Sequence, residues 1–199
     1  MGRPRRFDET EALEAAMRCF WDRGFEATSV RDLADEMGLT GASLYNAFGD
    51  KRALFRRALD HYVAQIDERI AAAEASAPSV AGIRAFFVEV VQRASADPRC
   101  RGCLLVNTTL ELDADDDELR RAVGAAIGSI EAFFLRCIRA GQADGSVAAA
   151  QPAAALARML LSVLLGMRVL SRTDPGKAAL EAVVETAMAT LEPARQGAR

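Results

Sequence analysis

Thr28-Ser29-Val30-Arg31-Asp32-Leu33-Ala34-Asp35-Glu36-Met37-Gly38-Leu39-Thr40-Gly41-Ala42-Ser43-Leu44-Tyr45-Asn46-Ala47-Phe48-Gly49-Asp50-Lys51 holds two helix starts and two helix stops. Val30, Leu33, Ala34 and Met37 recur at i, i+3, i+4 and i+7, which is one face of a short helix. Ser29 followed by Asp32 forms a capping-box-like start, and Gly38 suits the C-terminal stop. Thr40 can cap a following helix that carries Leu44, Tyr45 and Phe48 and stops at Gly49, after which Asp50 can cap another. Two short helices joined by the tight turn Met37-Gly38-Leu39 make a helix-turn-helix. Leu33, Leu39 and Leu44 supply its small core, and Ala34 is small where the helices approach.

On the N-terminal side, Leu13, Ala16, Met17 and Phe20 form one face of a preceding helix that ends near Gly24. On the C-terminal side, Leu54, Phe55, Leu59, Tyr62, Ile66 and Ile70 trace a long fourth helix. Further helices are predicted over 83–93, 103–112, 118–140, 153–170 and 178–191, with a loop over 97–102 and a turn over 141–145. No run alternates as a half-buried strand does. The expected class is all-α. A three-helix helix-turn-helix domain with a basic N-terminal arm takes 1–50, a helical ligand-binding and dimerisation domain takes 51–192, and 193–199 forms a disordered tail.

With 51% apolar residues in 199, the chain can bury a substantial core. Its formal charge of -3 does not suggest a nucleic-acid partner by itself. The bases are clustered, however. Arg3, Arg5 and Arg6 crowd the N-terminus, and Lys51, Arg52, Arg56 and Arg57 follow the helix-turn-helix, where they could track a phosphate backbone. The N-terminus lacks the apolar core of a signal peptide, and the apolar run 159–167 falls short of the roughly 20 residues that span a bilayer, so a cytoplasmic protein without membrane contact is expected. In that compartment the four cysteines read as free thiols. With one histidine, His61, no glycine-rich phosphate loop and no metal-ligand cluster, neither an enzyme nor a cofactor- or metal-binding protein is expected.

The pattern Phe20-x-x-x-Gly24-Phe25-x-x-Thr28-Ser29-Val30-x-x-Leu33-Ala34-x-x-Met37-Gly38-Leu39, continued by Ser43-Leu44-Tyr45-x-x-Phe48-x-x-Lys51-x-x-Leu54-Phe55, resembles the TetR family of one-component bacterial regulators. The rest of the chain resembles that family in helix number and placement. The resemblance implies a dimeric transcriptional repressor that binds double-stranded operator DNA and is released by a small-molecule or reactive effector. It places the third helix in the major groove. Tyr45 and Lys51 become phosphate contacts helped by Thr28 and Ser29, while Arg31, Gly41, Ala42 and Ser43 approach base edges near Thr40. Base readout would lean on Arg31, Ser43 and Asn46, because Gly41, Ala42 and Ala47 have little to offer. Arg3, Arg5 and Arg6 could enter the minor groove or lie along phosphates. A helical enzyme, a constitutive DNA-binding protein and a hairpin that never meets DNA are the competing readings.

The segment 159–167 is apolar on all sides except for Ser162 and Gly166, as suits a helix packed on its own domain and on a partner's. With the stripe Leu180, Val183, Val184, Ala187 and Leu191 it can form a four-helix homodimer seam, and the family resemblance implies the same. Cys103, Asn107 and Glu111 share one stripe of the sixth helix and could meet an effector among Phe86, Phe87, Phe133 and Phe134; alternatively the stripe serves the backbone or faces solvent. Cys100-x-x-Cys103 lacks the further ligands of a zinc site. Arg99, Arg101 and a helix start at Cys103 would all favour a thiolate, hence a reactive effector, although two ordinary loop thiols fit as well.

Overall fold

The computed structural model describes residues 7–76, 79–111 and 115–193, and among them only helices and turns form. The helices are α1 (Glu9–Arg23), α2 (Val30–Glu36), α3 (Gly41–Phe48), α4 (Lys51–Ser76), α5 (Val80–Ser95), α6 (Leu104–Leu110), α7 (Asp117–Asp144), α8 (Ala153–Leu170) and α9 (Lys177–Ala189), with a 3-10 turn at Ser171–Thr173.

The local signals act as their chemistry dictates. The Asp8 carboxylate accepts from Thr10 N–H at 2.8 Å and starts α1. Ser29 and Asp32 form a reciprocal capping box, with Asp32 N–H donating to Ser29 Oγ at 3.1 Å and Ser29 N–H to Asp32 Oδ2 at 2.9 Å. The turn out of α2 is a Schellman motif: Leu39 N–H donates to Ala34 O at 2.9 Å and Gly38 N–H to Asp35 O at 3.3 Å. That motif needs a left-handed residue, and Gly38 takes it at φ +63°. Thr40 Oγ1 accepts from Ser43 N–H at 3.2 Å to start α3, and Asp50 Oδ1 accepts from Ala53 N–H at 2.7 Å to start α4.

The chain divides into two compact units. One takes the chain up to Gln65 together with Cys103–Val123, and the other takes Ile66–Gly102 together with the chain from Gly124. α4 and α7 contribute to both units, and α6 belongs to the first. In the first unit Leu33, Leu44 and Leu54 are fully buried, and the Phe20, Phe25 and Phe55 rings meet at centroid distances of 4.9 Å (Phe20–Phe55) and 5.0 Å (Phe25–Phe55). Each such side chain contributes about 1.5–3 kcal/mol relative to exposure. In the second unit α5 packs along α9 and α8 packs beside α9. Phe86, Phe87, Phe133 and Phe134 pack together there, with Phe87 and Phe134 stacked at 5.6 Å and Phe86 tilted on Phe133 at 5.4 Å.

Several boundaries differ from expectation. α4 continues beyond Ile70 to Ser76 because Ala71-Ala72-Ala73 sustains a helix, and α7 runs on to Asp144. α6 stops at Leu110, since Glu111 leaves the helix to bond elsewhere. α8 keeps the expected bounds 153–170, and with its following turn to Thr173 it is long and apolar enough by composition to cross a membrane. From residue 194 onward the expected tail lies outside the described residues.

Candidate nucleic-acid interface

α3 buries Leu44 and Phe48 and turns Ala42, Ser43, Tyr45 and Asn46 outward, with Thr40 exposed at its start and Gly41 half-buried. Tyr45 is the large aromatic left half in solvent (52% exposed), whereas Phe48 packs inward against Phe7 and beneath the Arg57 guanidinium. Arg31 projects from α2 with its side chain 91% exposed, held only by a loose 3.8 Å pairing with Asp35. Ser29 is exposed at the α2 cap. Thr28, in contrast, is buried and donates its hydroxyl to Gly24 O at 2.6 Å, so its side chain braces the α1–α2 turn.

Lys51 at the head of α4 has its ammonium 4.3 Å from the centroid of the Phe25 ring and donates to Glu26 O at 3.4 Å. The other bases of that run do not form the phosphate-tracking cluster expected of them. Arg52 pairs with Asp116, Arg56 with Glu118 at 2.7 Å, and Arg57 with Glu9. Each of these guanidinium groups faces a carboxylate, whereas the Lys51 ammonium rests on a ring and a carbonyl. Arg3, Arg5 and Arg6 lie outside the described residues.

The charges behind this surface are fixed by hydrogen bonds. The Ser29 hydroxyl and backbone N–H, then the Arg23 guanidinium, hold Asp32 down to about 2. Asp116 is also held below the usual carboxylate range, chiefly by the Leu119 N–H and then by Arg52, with its desolvation opposing them.

The residues expected to meet an effector are divided between the two units. Cys103, Asn107 and Glu111 fall in the first unit, whereas Phe86, Phe87, Phe133 and Phe134 form a mutually packed core in the second. Cys103 and Asn107 are buried at the start of α6 and within it, and the Tyr62 hydroxyl donates to Cys103 Sγ at 3.3 Å. Glu111 does not continue their stripe. Its Oε2 accepts from Phe25 N–H at 2.9 Å, in the turn after α1. Cys103 is the N-cap residue and α6 begins at Leu104. Arg101, expected to favour a thiolate, is instead held by Asp97 at 3.1 Å. Cys100 takes a left-handed conformation at φ +50°, while burial pushes the Cys137 thiol up to about 11. Among the described residues no cluster of histidine, cysteine or acidic side chains could hold a metal ion.

The carboxylates that occupy Arg52 and Arg56, and the Glu111 bond, were not anticipated from the sequence. A signal was present: the acidic run Asp115-Asp116-Asp117-Glu118 matches the basic run 51–57 in opposite charge.

Comparison with known proteins agrees with this architecture. The family model described as bacterial regulatory proteins, tetR family, matches residues 12–58, and that described as tetracyclin repressor-like, C-terminal domain, matches residues 79–188. The HTH-type transcriptional repressor ComR of Escherichia coli K12 is 28% identical over 96% of this chain and 90% of its own length. The HTH-type transcriptional regulator YezE of Bacillus subtilis 168 is 30% identical over 96% of this chain and 100% of its own. Among solved structures, a cysteine-substituted variant of the TetR family transcriptional regulator CifR, complexed with 26-base-pair double-strand operator DNA, is 37% identical with a TM-score of 0.85, covering 96% of this chain and 100% of that one.

Proposed function

The chain belongs to the TetR family of bacterial regulatory proteins, and on that premise we propose that it is a homodimeric, cytoplasmic transcriptional repressor that seats α3 in the major groove of operator DNA and leaves it on binding an effector. The observation that carries the reading is the outward face of α3. Ala42, Ser43, Tyr45 and Asn46 stand in solvent on a helix whose other side, Leu44 and Phe48, locks it into the headpiece. A rigid helix with a short-chained polar face can enter a groove about 12 Å wide and bring its backbone close to the bases.

Tyr45, Lys51 and Ser29 act as phosphate contacts in this reading, and Arg31, Ser43 and Asn46 read bases. Thr28 serves by bracing the turn that carries Ser29. The proposed polar contacts for the effector are Cys103 and Asn107, buried at the start of α6 and within it. The repressor role is supported by the relatives named as repressors and by the CifR complex with its operator. The dimer is supported by the outer side of α8, where Ser162, Gly166, Val169 and Leu170 are exposed and Met159 and Val163 are half-exposed, a flat stripe that a second copy can cover.

The deciding experiment selects genomic fragments on the purified protein and then screens metabolites and mild electrophiles for release of the bound DNA. Recovery of discrete sites, released by some compounds and not others, is the expected result. Recovery of no site removes the DNA-binding reading, and sites that nothing releases favour a constitutive binder.

A further inference from the structure

Glu111 sits 86 positions along the chain from Phe25, yet its Oε2 accepts the Phe25 N–H at 2.9 Å. That N–H lies just beyond the α1 terminus, in a turn that also carries Gly24 and Thr28. The bond is charge-assisted, hence stronger than a neutral one. Close packing accompanies it: a Cβ on Gly24 would stand 2.7 Å from Glu111 Oε1. With Phe25, Arg52, Phe55 and Thr108, the Glu111 side chain walls a cavity of about 30 Å³. That space suits one or two ordered waters and is far too small for an effector.

The other end of Phe25 faces the DNA-binding machinery. Its ring lies under the Lys51 ammonium at 4.3 Å, and Lys51 also reaches the neighbouring Glu26 O at 3.4 Å. Carboxylate, backbone amide, aromatic ring and ammonium therefore form a continuous chain within one compact unit. We propose that Glu111 is a positioning residue for DNA binding, whose carboxylate clasps the Phe25 amide and so holds the Phe25 ring as the platform on which Lys51 is aimed at a phosphate. The proposal rests on the DNA-binding reading and deepens it. The residue that follows the helix carrying Asn107 thereby sets the aim of the phosphate contact. Loss of the clasp frees the turn, and Lys51 must then be ordered at the moment of binding.

The test uses the full chain and a fluorescent duplex recovered from the genomic selection, with binding measured for wild type, Glu111→Ala, Glu111→Gln, Lys51→Ala and the double variant Glu111→Ala/Lys51→Ala. Glu111→Ala is expected to weaken binding roughly five- to tenfold, because part of the entropy of ordering the Lys51 side chain then falls on the binding step. Glu111→Gln, whose amide oxygen still accepts, should stay within about twofold of wild type. In the Lys51→Ala background Glu111→Ala should cost less than about twofold, because interacting residues are non-additive. Hydrogen exchange of the Phe25 amide in the DNA-free protein should quicken in Glu111→Ala and not in Glu111→Gln. An equal loss in both Lys51 backgrounds, no loss at all, or an unchanged Phe25 amide overturns the proposal. If wild type recovers no duplex, the DNA-binding reading fails and the proposed role falls with it, while amide exchange still reports the clasp itself.

Discussion

Gly24 and Glu111 touch closely: a Cβ on the glycine would meet Glu111 Oε1 at 2.7 Å, so the carboxylate would have to move from its place. Gly24 also sits at φ +82° and ψ 168°, a backbone region that is essentially glycine-only. Gly38, at φ +63°, has no atom within 4 Å of such a Cβ. Gly38→Ala should therefore lose only the left-handed allowance, about 1–2 kcal/mol. Gly24→Ala should lose more, and part of the excess should return in the Gly24→Ala/Glu111→Ala double variant. Urea unfolding of the four proteins checks this.

In the proposed reading Lys51 holds the duplex and Arg31 reads it. Lys51→Ala should weaken binding to every duplex alike and make the salt dependence shallower by about one unit of slope. Phe25→Leu keeps an apolar core residue but removes the ring under Lys51, and should weaken binding at least as much as Glu111→Ala does, since it takes away the platform itself. Arg52→Ala should leave the slope nearly unchanged, because Asp116 already holds that guanidinium. Titrations at several salt concentrations separate the three.

Arg31 is the side chain whose reach and exposure suit guanine recognition. Arg31→Ala should relax preference at one base position and cost about 1–3 kcal/mol there, with little change on unrelated sequences. A uniform loss across specific and scrambled duplexes would move Arg31 to the phosphate backbone.

Acid should loosen α2 late. Asp32 has its folded-state value depressed to about 2 by Ser29 and Arg23, so the capping box is fully engaged above the ordinary carboxylate range near 3.8. Its contribution to stability is lost as pH falls through about 2, where the carboxylate finally protonates. Carboxyl-carbon NMR titration should show Asp32 among the last groups to protonate. Asp32→Asn should flatten the stability profile between about pH 4 and pH 2.

The α8 stripe offers a direct test of assembly. Val163→Glu places a charge beside Met159, Ser162 and Gly166, at the half-exposed edge of the stripe next to buried Leu160 and Met167. Sedimentation at micromolar concentration should find wild type dimeric and Val163→Glu monomeric, with helical circular dichroism retained. A wild-type monomer would leave the stripe without its proposed partner.

What the sequence determined by itself was local: where helices start, stop and turn. Asp8, Ser29, Thr40 and Asp50 each cap the backbone within three residues of themselves, and Gly24, Gly38 and Gly49 end helices by conformations available to glycine. Such signals act over a single turn of chain, so they read directly into the helix-turn-helix and into a motif specific enough to place the family. Partnership over long separations was decided only by tertiary structure. A run of bases such as Lys51–Arg57 looks alike whether it faces phosphate or carboxylate, and packing brought Asp116, Glu118 and Glu9 to three of its members. Helical periodicity placed Glu111 on a stripe with Cys103 and Asn107, but periodicity ends where the helix ends, and α6 ends one residue before it. Free of the helix, the carboxylate went to the unbonded amide of Phe25, a choice set by the docking of α6 beside α1.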